Sequence, residues 1–130
     1  MALSEHIIIL LYHHIADPPA NAGVRGLYVT KGQFRKQLAW MIKNGFDFTT
    51  FHQLAAGRQP SAVPTVILTF DDGHLDNYTH GFPVLREFDV PAVIFPVAGD
   101  IGKRNLSWED ANQCPVNLMT VDQIQEMAKW

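Results

Sequence analysis

Three largely apolar runs dominate the pattern of hydrophobic and polar positions along this chain. They are Ile7–Tyr12, Val66–Phe70 and Val90–Ala98, and none of them alternates apolar with polar residues. A strand buried on both faces has this pattern, because neither of its faces meets solvent. The runs therefore predict three buried strands of a parallel sheet. Pro96 lacks a ladder donor, so the third strand is expected to bend or end there.

Between these runs, apolar residues recur at the spacing of amphipathic helices. Helices are predicted over residues 30–44, 50–57, 76–88 and 120–130, with a short strand at 46–49. A Thr-x-x-Gln capping box opens three of the helices, at Thr30, Thr50 and Thr120. Gly45 stands where a left-handed residue ends a helix. Pro83 either kinks the helix over 76–88 or marks its true first turn, with the preceding residues as a loop.

The helical residues expected to face the core share a spacing of three or four positions. They are Phe34, Leu38, Met41 and Ile42 in the first helix, Phe51, Leu54 and Ala55 in the second, and Val121, Ile124, Met127 and Ala128 in the last.

The predicted elements alternate between strand and helix, which is typical of parallel α/β sheets with right-handed crossovers. We therefore predict an α/β fold: a partial (β/α) barrel with helices outside parallel strands, not closed within this chain. The last helix reaches Trp130 without a C-cap or a following strand. We expect the chain to be interrupted, with residues 1–130 forming the amino-terminal part of a single domain.

Composition and charge exclude several classes of partner. The chain has 130 residues, of which 47% are hydrophobic and 18% charged, enough apolar material for a folded core. Its net charge is −3 and its ten Lys and Arg residues are scattered, so neither nucleic acid nor an anionic membrane is an expected partner.

Export and anchoring signals are also missing from the pattern. The longest unbroken apolar run is six residues, whereas a membrane span needs roughly 20. No signal peptide is evident, so a cytoplasmic location is the default expectation, and a periplasmic or envelope location follows if a leader was removed. The single Cys114 excludes an internal disulfide and is interpreted as a packing thiol.

The strongest candidate for chemistry lies where the central apolar run ends. Asp71 and Asp72 follow Phe70 directly, and Gly73 permits a sharp turn. Ligands bind at the carboxyl ends of strands in parallel α/β folds. One carboxylate could ligate a divalent cation while the other takes a proton from water. The alternative, an Asp-Asp-Gly turn that is solvated or caps the next helix, stays open on spacing alone.

The histidines near this edge are weaker candidates for site residues. His13 and His14 follow the first strand and would share the same rim, as candidate site-wall residues; one should face the cavity and the other the outer layer. They lack the i, i+4 spacing of helical metal ligands. His74 could reach the rim, but a solvated loop position is the simpler interpretation. Asp76 is interpreted as an N-cap or first-turn acid.

Other aromatic and histidine residues have no assigned chemistry. Tyr28 and Trp108 could stack on sugars, although packing is the simpler interpretation of both. His52 and His80 are interpreted as surface helix residues. No substrate-binding residue can be named.

The chain resembles the polysaccharide deacetylases, the nodulation-protein-like carbohydrate esterases, and most of all their members that act on poly-N-acetylglucosamine-type polymers. The matching segments follow the family's order. Leu11–Ile15 resembles the opening strand, Phe34–Gly45 the first helix, and Leu68–Gly73 the first signature, in which Thr69 and Gly73 are candidate site-wall residues. Asp76–Tyr78 with Pro83–Leu85 resembles the next helix, and Val90–Phe95 the following strand. The resemblance covers nearly the whole chain.

The resemblance implies a distorted (β/α) barrel that removes N-acetyl groups from a polysaccharide through a divalent metal, often zinc. Carried over by position, Asp71 would be the general base and Asp72 a metal ligand. The family's two histidine ligands belong to a His-x-x-x-His motif expected beyond Trp130, and His13 and His14 do not replace them in its pattern. We therefore expect this chain alone to be inactive, because one carboxylate is a poor metal site.

Three hypotheses for function remain. The first is the amino-terminal half of a metal-dependent polysaccharide deacetylase, in which this chain supplies the Asp-Asp half of the site. The second is a non-catalytic, truncated or carbohydrate-binding module on the same scaffold. The third is a phosphotransferase or phosphatase with an aspartate nucleophile, which is disfavoured because no glycine-rich phosphate-binding loop is present.

Overall fold

A parallel sheet forms the centre of the molecule, in a computed structural model that describes residues 7–104 and 116–130. Its strands are β1 (Ile7–Tyr12), β4 (Asp47–Phe48), β5 (Thr65–Asp72) and β6 (Val93–Pro96), and a separate parallel pair consists of β2 (His14–Ile15) and β3 (Tyr28–Val29). The order is β1, β5, β4, and β6 also pairs with β5. Within the described residues the sheet does not close, so the predicted open, partial barrel is confirmed.

The central strand is β5, which has neighbours on both edges. Ile7 of β1 lies opposite Thr65, and Tyr12 lies opposite Phe70, so β1 pairs along most of one edge. On the other edge β4 pairs with the start of β5 and β6 with its end, where Pro96 lies opposite Asp72. All these pairings are parallel, so the carboxyl ends of β1, β5 and β6 lie at one edge of the sheet.

Four α-helices are present in the described residues, and all but the third begin as the sequence predicts. They are α1 (Lys31–Lys43), α2 (Phe51–Ala55), α3 (Phe82–Phe88) and α4 (Val121–Ala128). The capping boxes at Thr30, Thr50 and Thr120 are all formed, each with the glutamine three residues later. Gly45 is left-handed with a φ of 76°, as predicted for the residue that ends α1. These features agree with prediction because each depends on residues only a few positions apart.

Pro83 divides the predicted helix over 76–88 into two parts. Residues Asn77–Gly81 form a π-helical turn, and α3 then begins with Pro83 in its first turn. Proline has no N–H to donate to the carbonyl four residues earlier, so a regular α-helix cannot continue through it. Pro83 thus lies in the first turn of α3, as one alternative predicts, but the residues before it are helical and not the loop that this alternative expected.

The hydrophobic core lies between one face of β5 and the helices α1 and α3. Val66, Leu68 and Phe70 are at most 1% exposed, and they pack in one cluster with buried residues of both helices. The helical members are Phe34, Leu38 and Met41 in α1 and Val84 and Leu85 in α3. Burial of each large side chain contributes roughly 1.5–3 kcal/mol.

The prediction that Ile7–Tyr12 is buried on both faces is wrong. Ile9 and Leu11 are 54% and 57% exposed, whereas Tyr12 is buried. The strand is at the edge of the described sheet; on the face that carries Tyr12, Leu10 is half-buried but Ile8 is 37% exposed. Exposure also contradicts the predicted inward positions of five helical residues, which are Ile42, Phe51, Ala55, Val121 and Ala128.

None of the helices in the described ranges, 7–104 and 116–130, combines the length and the apolar character that crossing a membrane requires.

Candidate functional site

The chain reverses direction directly after β5 through two consecutive left-handed residues. Asp72 has a φ of 71° and Gly73 a φ of 78°. Glycine adopts this conformation without a steric penalty, and aspartate is one of the few other residues that visit it. A β-carbon on Gly73 would lie 3.0 Å from Cβ of Pro96. The turn therefore packs directly against the end of β6, and it directs His74 back toward Asp72.

Asp72 lies between two imidazole rings. Its Oδ2 atom is 3.0 Å from Nδ1 of His13 and 3.4 Å from Nε2 of His74. His13 comes from the end of β1, because the parallel register places residues after Tyr12 beside residues after Phe70. We refer to His13, Asp72 and His74 as the Asp72 cluster.

His74 is buried, with 2% of its surface exposed, so the prediction of a solvated loop histidine is wrong. Its backbone bridges to Leu118, which places it under the segment before α4. Burial lowers the pKa of His74 to about 4, and His14 acts in the same direction, while Asp76 and Asp72 act against it. The ring is therefore neutral at neutral pH and keeps a lone pair available for a ligand contact. Within the described residues, its Nδ1 atom has no hydrogen-bond partner.

His14 supports the cluster from behind rather than entering it. Its ring stacks on His74 with centroids 3.6 Å apart and on Tyr28 with centroids 4.2 Å apart. His14 is 4% exposed, whereas the side chain of His13 is 22% exposed. The two neighbouring histidines thus have different positions: His13 is at the open rim and His14 is in the packed layer beneath it.

Asp71 is the acidic residue with the fewest contacts at this edge. Its side chain is half-buried, and within the described parts of the chain its carboxylate has no hydrogen bond or ion pair. Thr69, two positions earlier, is buried, and its hydroxyl donates to the carbonyl of Leu10 at 3.2 Å. Thr69 therefore ties β5 to β1, whereas the Asp71 carboxylate is available to a substrate or a water molecule.

Sequence reasoning missed the role of Asp76. Its side chain makes no helix-capping hydrogen bond; instead its Oδ2 atom accepts from Nδ1 of His14 at 2.7 Å and its Oδ1 atom from the Ile15 amide at 2.8 Å. Asp76 therefore occupies the predicted position at the start of the helical segment, but its side chain does not cap it. His80, interpreted as a surface residue, is hydrogen-bonded through Nδ1 to the Ile15 carbonyl at 2.7 Å. These contacts join residues about sixty positions apart, and no local sequence signal indicates them.

The donor atoms of the Asp72 cluster fit a divalent metal. Each of the three residues offers one ligand atom, and these atoms all lie within 4.8 Å of one another. Ligand bonds of about 2.0–2.1 Å at tetrahedral angles put neighbouring donors roughly 3.3–3.4 Å apart. The two contacts to Asp72, at 3.0 and 3.4 Å, are close to that spacing. Two imidazoles and a carboxylate are also a donor set that zinc accepts.

Other residues considered from sequence do not join the cluster. Tyr28 stacks on His14, which agrees with a packing role. His52 is exposed, as predicted. Trp108 and Cys114 lie outside the described residues. Sequence reasoning identified one candidate metal-binding carboxylate in this chain, and the structure places two imidazoles beside it.

The chain matches the model of a known protein family. The family model for polysaccharide deacetylase matches residues 58–129, more than half of the chain, including the Asp-Asp pair and the turn after it. The chain belongs to the polysaccharide deacetylase family, a family of hydrolases. The resemblance drawn from the sequence is thus confirmed.

Individual relatives agree with this assignment. The chain is 30% identical over 125 residues to YxkH of Bacillus subtilis strain 168, named as a polysaccharide deacetylase, covering 93% of this chain and 38% of that protein. It is 34% identical over 93 residues to the poly-β-1,6-N-acetyl-D-glucosamine N-deacetylase of Escherichia coli K12, covering 69% and 14%. The chain therefore spans well under half the length of these relatives.

A solved structure supports the fold. IcaB from Ammonifex degensii superposes with a TM-score of 0.75 at 26% sequence identity, covering 95% of this chain and 48% of that one. The described elements therefore have the deacetylase arrangement.

Proposed function

We propose that the intact protein hydrolyses N-acetyl groups from a polysaccharide of the poly-N-acetylglucosamine type. The observation that carries the proposal is the pairing of Asp71, whose carboxylate has no partner among the described residues, with a neighbouring Asp72 that two histidines surround. The printed name of the Escherichia coli relative supports the substrate class. Family membership supports the reaction, which is hydrolysis of an amide bond.

In this proposal Asp71 is the general base. Water adds to the acetamide carbonyl carbon, Asp71 accepts a proton from that water, and the C–N bond breaks. The products are acetate and a free glucosamine amine, which takes up a proton as it leaves. A carboxylate without competing hydrogen bonds suits this role, because proton transfer needs direct contact with the water.

Asp72 is the proposed metal ligand, with His13 and His74 beside it. A divalent ion held there, most simply zinc, would polarise the acetamide carbonyl and make a water molecule more acidic. The protein's own contribution is to hold the donor atoms. The left-handed Asp72 backbone and the buried His74 ring both restrict motion at this point.

Three matched variants of the intact protein test these roles. Deacetylation of an N-acetylglucosamine oligomer is measured by the release of free amine, and bound zinc by elemental analysis. Asp71→Asn should lower kcat by about 10²–10⁴-fold without changing zinc content. Asp72→Asn should lower both. Asp89→Asn changes an exposed acid at the end of α3 and should change neither.

Two outcomes would count against the proposal. Activity retained in Asp71→Asn would remove that residue as the base. Binding of the oligomer by the unaltered protein with no amine released would favour the alternative of a non-catalytic carbohydrate-binding module.

A further inference from the structure

Three side chains around the π-helical turn hold the backbone of residues 13–15. The Asp76 Oδ1 atom accepts from the Ile15 amide at 2.8 Å, and Asn77 Nδ2 donates to the His13 carbonyl at 2.8 Å. His80 Nδ1 is 2.7 Å from the Ile15 carbonyl. The backbone between β1 and the loop that follows β2 is therefore held by side-chain hydrogen bonds at His13 and at Ile15. These bonds determine the direction in which the His13 side chain leaves the backbone.

The second oxygen of Asp76 acts on the other side of the Asp72 cluster. Its Oδ2 atom is 2.7 Å from Nδ1 of His14. A carboxylate oxygen accepts, so this contact places a proton on Nδ1 of His14 and fixes the orientation of the ring. The same ring stacks on His74 at a centroid distance of 3.6 Å. His74 is thus held against Asp72 by a ring that Asp76 orients.

One carboxylate therefore supports both imidazoles of the Asp72 cluster. It reaches His13 through the Ile15 amide and the backbone, and it reaches His74 through the His14 ring. Its side chain is 17% exposed, so the two hydrogen bonds are largely shielded from water. Asp76 also accepts from Asn77 Nδ2 at 3.1 Å, which links it to the residue that holds the His13 carbonyl.

We propose that Asp76 is a positioning residue that orients His13 and His74 toward Asp72 through His14 and the backbone of residues 13–15. The proposal rests on the proposed function in treating the Asp72 cluster as the reactive centre. A purely capping role does not explain the geometry, because the Asp76 side chain makes no capping hydrogen bond. Partners of this kind behind metal-binding histidines typically change metal affinity or activity by about 10–100-fold.

Two variants distinguish the contributions of the two carboxylate oxygens of Asp76. Asp76→Asn keeps an acceptor for the Ile15 amide but replaces the acceptor for His14 with an amide. Asp76→Ala removes both. Asp89→Asn is the matched control, because it removes an exposed carboxylate at the end of α3, where asparagine also tolerates the left-handed backbone. Far-UV circular dichroism and urea unfolding first establish which variants are folded.

The first readout needs no metal. The intact, metal-free protein is labelled with ¹⁵N-histidine, and the ring nitrogens are recorded at one fixed pH. Signals are assigned with single His→Gln variants. In the unaltered protein, the Nδ1 resonance of His13 should report a hydrogen bond to Asp72. Asp76→Asn should shift the His14 and His74 ring signals, and Asp76→Ala should also shift that of His13. Asp89→Asn should leave all three unchanged.

The second readout is Co²⁺ affinity, measured from the visible absorption of the bound ion. Asp76→Asn should weaken binding by about tenfold and Asp76→Ala by up to about 100-fold. If Asp76→Ala does not fold, Asp76→Asn alone still tests the positioning role. A folded Asp76→Asn protein with unchanged ring signals and unchanged Co²⁺ affinity would overturn the proposal.

The ring signals also separate this inference from the proposed function. Shifted ring signals in a protein that never releases amine would refute deacetylation but support the positioning role. Normal deacetylation by a folded Asp76→Asn protein with unshifted ring signals would support deacetylation but refute the positioning role.

Discussion

Replacement of Gly73 by alanine tests the turn that carries Asp72 and His74. Gly73 has a φ of 78°, a conformation that costs an L-residue roughly 1–2 kcal/mol. The new Cβ would also lie 3.0 Å from Cβ and 3.1 Å from Cα of Pro96. Pro96 is held in register opposite Asp72, so its backbone has little freedom to move away.

The two costs add, because one is local strain and the other is overpacking. Overpacking of a close contact costs about 1–3 kcal/mol. Gly73→Ala should therefore lower the free energy of unfolding by roughly 2–5 kcal/mol. Equilibrium unfolding in urea, followed by circular dichroism, measures this difference directly if the slope of the transition is unchanged.

Two other glycines act as matched controls. Gly45 has nearly the same φ, 76°, but an added Cβ there would meet no atom within 4 Å, so Gly45→Ala should cost only about 1–2 kcal/mol. Gly32 lies in α1 without a positive φ and in open space, so Gly32→Ala should stabilise by about 0.4–1 kcal/mol. If Gly73→Ala costs no more than Gly45→Ala, the argument from the Pro96 contact is refuted.

Three further predictions follow from single contacts. The metal-free protein should lose up to about 3 kcal/mol of stability as the pH falls from 6.5 toward 4, because unfolding raises the pKa of His74 from about 4 to its ordinary value and the unfolded state then binds the proton. Urea titrations at several pH values give the free energy of unfolding as a function of pH. This free energy should depend less on pH in His74→Gln than in the unaltered protein, and equally in the exposed His52→Gln. The same pH dependence in all three proteins would contradict the prediction. Tyr12→Phe removes a 2.9 Å hydrogen bond to Gln37 but keeps the ring packing, so the loss should be about 0.5–1.5 kcal/mol by thermal unfolding, and a larger loss would mean that the ring itself has moved. Thr30→Ala removes a side-chain cap and should cost about 0.5–2 kcal/mol, with faster amide exchange at the start of α1; unchanged exchange there would show that the cap is not formed in solution.

Local features were predictable from the sequence. The three capping boxes, the left-handed Gly45 and the strand that delivers Asp71 and Asp72 all appear as expected. Each depends on residues at most a few positions apart, so a short window contains all the interacting groups. The fold class was also predictable, because alternation of apolar runs and amphipathic helices favours a parallel sheet.

The burial of individual residues was less predictable. Ile9 and Leu11 belong to an apolar run, yet one face of β1 is exposed in the described structure. An apolar run indicates that a strand suits burial on both faces, but neighbouring elements decide whether each face is covered. His74 shows the converse: a polar residue after a turn is buried because the segment around Leu118 packs over it.

The sequence by itself determined the position of the acid pair at the end of the central strand and the chemistry that two carboxylates can perform. Only the tertiary structure decided which residues surround Asp72. The parallel register of β1 on β5 places His13 beside it, since a shift by one residue would direct that side chain to the opposite face. Asp76 supports the arrangement across sixty residues of sequence, and such a contact exists only once the chain has folded.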